Sequence, residues 1–147
     1  MEKYIQILMA MGGTVGFSLM FHVKKKQLIP CAIGGALAWI LYLLALSHWG
    51  SISIAILAAT AVVGFAAEGM ARIFKAPAIT FLVPMLVPLI PGGDLYRATS
   101  FLVRQDMIGF AHQLQLLLKE AGAIALGIIL VACVMHLPRK IVIHKKG

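Results

Sequence analysis

Pro84, Pro88 and Pro91, the pair Gly92-Gly93, and then Asp94, Tyr96 and Arg97 follow one another in a single short stretch. The stretch closes a charge-free run, Ala76 to Gly93, that is long enough to enter a membrane. Each proline removes a backbone donor and disfavours the helical turn before it. The carbonyls of Thr80, Pro84 and Val87, four residues upstream of a proline, thereby lose their usual donors. In lipid, such irregular backbone survives only where protein buries it or where it lines a cavity. Broken helices at membrane depth are also where many transporters hold substrate and coordinate ions. The Thr80 hydroxyl can bond back to a nearby carbonyl but supplies nothing to those of Pro84 and Val87. By their spacing the three prolines share one helical face. The alternative to a functional break is a static kink.

Charged chemistry has few carriers. The chain holds five acids, Glu2, Glu68, Asp94, Asp106 and Glu120. Asp94 directly follows the proline-glycine break and can carry a proton or attract an ammonium group; its alternative is an exposed turn aspartate. Arg97 can hold a carboxylate by a bidentate contact, or snorkel to headgroups. Glu68 lies deepest in an apolar segment, where an ionisable group is costly and by default a functional candidate. It can instead pair with Arg72 one helical turn on. Glu68 and Asp94 are the intramembrane residues on which proton coupling would rest. The histidines have no metal-ligand spacing, and Cys31 and Cys133 lie far apart in apolar runs, so no metal, cofactor or disulfide framework is indicated. Nucleophile elbows, phosphate-binding glycine loops and nucleotide motifs are missing, and the chain does not read as an enzyme.

The elements that must position these residues are membrane helices. Of 147 residues, 61% are hydrophobic and 12% charged, with mean hydropathy +0.97, against roughly 25% charged residues in soluble domains. The net charge of +8 does not point to nucleic acid, because the lysines and arginines flank apolar runs and act as topology signals. The first apolar stretch reads as a retained span, since it is longer than a usual signal-peptide core and lacks a clear cleavage site. At about 20 apolar residues per crossing, residues 1–147 read as one all-α integral membrane domain of about five helices. The spans fall near 4–23, 27–46, 52–70, 76–92 and 114–138. The fourth is broken by proline. Leu95 to Gln113 is an amphipathic helix at the interface or the return arm of a re-entrant hairpin.

Five spans place the termini on opposite sides. Lys24, Lys25, Lys26, Arg72, Lys75, Arg139, Lys140, Lys145 and Lys146 share one side; Lys3, Arg97, Arg104 and Lys119 share the other. The positive-inside rule puts the first group in the cytoplasm and the N-terminus outside. The basic stretch Arg139–Lys146 would rest on anionic headgroups. Small-residue pairs four apart, Gly12/Gly16, Ala32/Ala36, Thr60/Gly64 and Ala123/Gly127, mark places where helices approach closely. Five short helices make a thin bundle, so a partner or further copies are expected around any polar pathway.

Two segments resemble a known family. Val15-Gly16-Phe17-Ser18-Leu19-Met20-Phe21-His22-Val23, a basic turn, and Cys31-Ala32-Ile33-Gly34-Gly35-Ala36 resemble its G-F-x-x-x-F-N-V pattern and the glycine-rich helix after it. Val87-Pro88-Leu89-Ile90-Pro91-Gly92 through Tyr96 resembles its P-x-x-P-G-x-x-x-Y signature. The family is that of threonine/serine exporters, specifically its smaller, five-span half. His22 stands where an asparagine is expected, and Lys24 where a proline is frequent. The resemblance implies an inner-membrane export subunit for threonine or serine, or in some members for succinate, working with a larger five-span half. Two halves inserted oppositely would enclose the pathway between them. The other readings are a structural or regulatory subunit and a self-assembling channel with rings of Asp94 and Arg97.

Overall fold

A computed structural model describes residues 2–144, with side-chain surroundings for residues 2–135. Six α-helices and one 3-10 turn account for nearly all of it, with no strand among the described residues. The helices are α1 (Glu2–Met20), α2 (Lys25–Trp49), α3 (Ile52–Phe74), α4 (Ile79–Leu86), α5 (Gly92–Val103) and α6 (Met107–His144), and the 3-10 turn, Val87–Leu89, follows α4. Three single helices are long and apolar enough to cross a membrane: Lys25–Trp49, Ile52–Phe74 and Met107–Met135. Ile79–Leu89 and Gly92–Val103 reach that mark as a pair, bent by 56°. The α1 helix does not reach it, because Glu2, Lys3 and Gln6 occupy its first turns.

Helix ends explain where the elements stop. Gly50, at φ 65°, caps α2 by donating its N–H to the Leu46 carbonyl. Lys75, at φ 49°, does the same for α3 with Ala71. After α1, His22 takes φ 55°, and Val23 N–H reaches back to the Ser18 carbonyl at 2.9 Å. All three follow the left-handed capping pattern that turns a chain sharply. Asp106 begins α6, its Oδ1 accepting the Gly109 N–H at 2.9 Å, so α6 starts well before the span expected from residue 114. The expected amphipathic segment, 95–113, is therefore shared between α5 and the first turns of α6. The side chains of the basic 139–146 stretch lie outside the described residues.

Helix α4 wedges between α2 and α3. Phe81 and Met85 are fully buried there, with Cys31, Ala38, Ala59, Val63 and Ala67 around them. Small residues make this closeness possible. A side chain at Gly35 would collide with Thr14 across the α1–α2 contact, and one at Gly127 would meet Thr60 Cβ at 2.8 Å and the Leu57 carbonyl at 3.2 Å across α3–α6. In a bilayer, lipid is as apolar as the core, so such packing, and not transfer from water, holds helices together. Gly12 and Gly16, by contrast, have open space in front of them, and α1 turns Tyr4, Leu8, Met9 and Met20 outward. The α5 helix packs on α6 and departs from the rest of the bundle.

Candidate functional site

The break is built in three steps. Within α4 the chain runs helically to Leu86, with Pro84 buried. The 3-10 turn then tightens it, and Ile90 is extended at φ −66°, ψ 127°. Pro91 follows at φ −75°, ψ 57°, an inverse γ-turn closed by Gly92 N–H on the Ile90 carbonyl at 2.7 Å. Two carbonyls expected to be free are not. Val87 N–H bonds to the Pro84 carbonyl, and Ile90 N–H to the Val87 carbonyl at 3.2 Å. A 3-10 turn offers donors three residues on, which replaces the bonds that proline removes. The backbone thus supplies less to a ligand here than the proline spacing implies.

Side chains supply more. A cavity of about 270 Å³ opens at the break, lined on one side by Pro88, Pro91, Gly92, Gly93, Asp94 and Arg97. Its other walls come from Trp39 and Tyr42 of α2, Ile56 of α3 and Glu120 of α6. Asp94, in the first turn of α5, accepts a hydrogen bond from Gln113 Nε2 at 2.6 Å and pairs with Arg97 Nη1 at 3.6 Å. The Arg97 side chain is 70% exposed and stands at the mouth. Glu120 is only 8% exposed, and it lines the same cavity as Asp94. The Trp39 and Tyr42 rings lie 5.1 Å apart, tilted by 39°, and Trp39 Nε1 donates to Gln6 Oε1 at 3.4 Å.

Depth follows from helix lengths. From Ile79 to Leu89 the chain climbs about 17 Å, roughly half of a 30 Å hydrocarbon core. Glu120 lies near the midpoint of the apolar stretch Met107–Met135. Glu120 nevertheless stands level with the first turns of α3, since its neighbours Leu118, Lys119 and Gly122 line a cleft with Ser53, Ile54 and Leu57, so the two carboxylates meet toward the end of the bundle at which α2 turns into α3. Such a pair, in a partly enclosed cavity, can hold one proton between its members or one positive ligand.

Of the residues singled out in the sequence, Pro88, Pro91, Gly92, Gly93, Asp94 and Arg97 come together. Pro84 and Thr80 lie lower in α4, outside the cavity lining. Tyr96 points away, 75% exposed. Glu68, half-buried near the far end of α3, is separate from the site. It makes no ion pair with Arg72; the ion pair among the described residues is Arg97–Asp94. Glu120, Gln113, Trp39 and Tyr42 were not singled out. Glu120 follows Lys119 and so passed for the charged edge of a span. The available signal was the seven-residue spacing of Gln113 and Glu120, which puts two polar groups on one face of an apolar helix. Among the described residues no group of three or more His, Cys, Asp or Glu could hold a metal ion.

Comparison with known proteins places this geometry in context. The family model described as "Threonine/Serine exporter, ThrE" matches residues 6–134. A Haemophilus influenzae protein described as uncharacterized is 34% identical over 108 residues, which are 74% of this chain and 36% of the relative. The matched segment thus spans little more than a third of that relative's length. No solved structure matches the chain.

Proposed function

The chain belongs to the threonine/serine exporter family, and on that premise we propose that it is the small membrane part of a two-component exporter. Its cargo is small polar metabolites of the threonine/serine type, carried along a pathway shared with a larger partner. The observation that carries this reading is the cavity at the α4–α5 break, where two carboxylates, an arginine and two aromatic rings converge between apolar helices. A polar cluster in such a place is expensive in lipid and is retained for a solute or ion to meet. In this reading α1, α2, α3, the bent α4–α5 pair and α6 make five crossings of the inner (plasma) membrane. The lysine and arginine distribution puts the N-terminus outside and the C-terminus in the cytoplasm. The partner closes the open side of the cavity next to the exposed face of α5. The greater length of the Haemophilus relative leaves room for such a second part in one chain.

Any proton step belongs to Asp94 and Glu120, not to Glu68, which stands apart. Asp94→Asn should flatten the pH dependence of export and Glu68→Gln should leave it intact; the reverse result would move the proton step to α3. The whole reading is tested by efflux of radiolabelled threonine, serine and succinate from cells lacking this gene. The cells are complemented with this chain alone or together with its chromosomal neighbour. Efflux of threonine or serine only with both chains is the expected result. Efflux with this chain alone would replace the two-part exporter by a self-assembling channel.

A further inference from the structure

The cavity at the break is unevenly charged. It presents two carboxylates, Asp94 and Glu120, and one guanidinium, Arg97. Asp94 is supplied with partners, namely Gln113 Nε2 at 2.6 Å and Arg97. Glu120 is not. It is more than nine-tenths buried and lines the cavity together with Asp94. A largely buried carboxylate that shares a cavity with a second one, with no side-chain donor to it among the described residues, leaves the site short of one positive charge. Trp39 and Tyr42 line the cavity as well, and aromatic rings attract cations through their faces. Arg97 at the mouth is the one group suited to an anionic substituent.

We propose that Glu120, together with Asp94 and the Trp39–Tyr42 wall, forms a subsite for a primary ammonium group, and that Glu120 is the residue that selects amine-bearing solutes over dicarboxylates. The proposal rests on reading the cavity as the solute site and specifies what that site recognises. An ammonium group brings three donors to a cavity lined by two carboxylates and two aromatic side chains. A carboxylate on the same solute then points outward to Arg97. A dicarboxylate would add two negative charges to a site that already holds one in excess, and would leave Glu120 without a donor. The volume, about 270 Å³, is ample for a small amino acid or amine.

Trp39 lines the site and supplies the readout. The chain has two tryptophans, and Trp49→Phe leaves Trp39 as the one emitter. The full chain in nanodiscs is titrated with threonine, threonine amide, N-acetylthreonine and succinate while Trp39 emission is followed. Threonine and threonine amide should give saturable shifts. N-acetylthreonine and succinate should give none. Glu120→Gln should weaken threonine amide binding by at least about tenfold, the loss expected for one charge-assisted hydrogen bond, and Glu120→Asp should retain part of it. The ligand series on the unsubstituted site answers the question even where Glu120→Gln does not fold. Binding of N-acetylthreonine or succinate as tight as that of threonine overturns the subsite, and so does an unchanged affinity in folded Glu120→Gln. Displacement of threonine amide by sodium chloride at matched ionic strength would also overturn it, in favour of a metal-ion site. The two readings fail separately: intact amine binding without efflux from cells sinks the exporter, and efflux without amine-selective binding sinks the subsite.

Discussion

His22 shows what a single position demands. Its φ of 55° is left-handed, a conformation that costs most L-residues roughly 1–2 kcal/mol and that asparagine and histidine tolerate better than others. The family pattern has asparagine at this place, so the histidine found here answers the same backbone requirement. His22→Asn should leave thermal stability unchanged or slightly raised, whereas His22→Val should lower it by about 1–2 kcal/mol. Unfolding of the detergent-purified variants would check both, and a valine variant as stable as the parent would remove the backbone explanation. Asp94 and Glu120 make a different point. Asp94 was legible because it follows a conspicuous break. Glu120 was not, because a charge beside Lys119 reads locally as the end of an apolar run. Only the α5–α6 hairpin, which brings Gln113 level with Asp94, reveals that α6 continues upstream and carries Glu120 inward.

At the scale of elements, the helices α2 and α3 were legible to within a few residues, because uncharged runs and a glycine turn bound them. The fate of the proline carbonyls was not. Proline spacing says which donors are lost, but not that a 3-10 turn recruits Val87 and Ile90 N–H groups in their place. The glycines at the start of α5 raise a related question. Neither Gly92 nor Gly93 takes a positive φ, and a methyl group at either would meet nothing within 4 Å. Fold and packing therefore do not require glycine there, and alanine is the better helix former by about 1 kcal/mol each. What a methyl group would occupy is space at the rim of the cavity. Gly92→Ala with Gly93→Ala is expected to keep or raise thermal stability while cutting efflux several-fold. A double variant that exports normally would show that nothing approaches the backbone at this point.

Taken whole, the molecule is a helical bundle, and the topology proposed from its lysines and arginines is open to direct measurement. Single cysteines placed at Lys3 and at Lys24, in a background lacking Cys31 and Cys133, should differ in labelling of intact cells by a membrane-impermeant maleimide. Position 3 should react and position 24 should not, and the opposite pattern would invert the molecule. One feature of the assembly has a mechanical side. The α5 helix is fastened to α6 along its length and joined to α4 through the extended Ile90 and the turn at Pro91. It is a rod about 18 Å long with a short irregular joint at its Asp94 end. Were α5 and the first turns of α6 to rotate together by only about 10° about that joint, the far tip would travel about 3 Å while Asp94 beside the joint would hardly move. If the cavity is the solute site proposed above, gripping and admitting a solute would be divided between the two ends of one short helix.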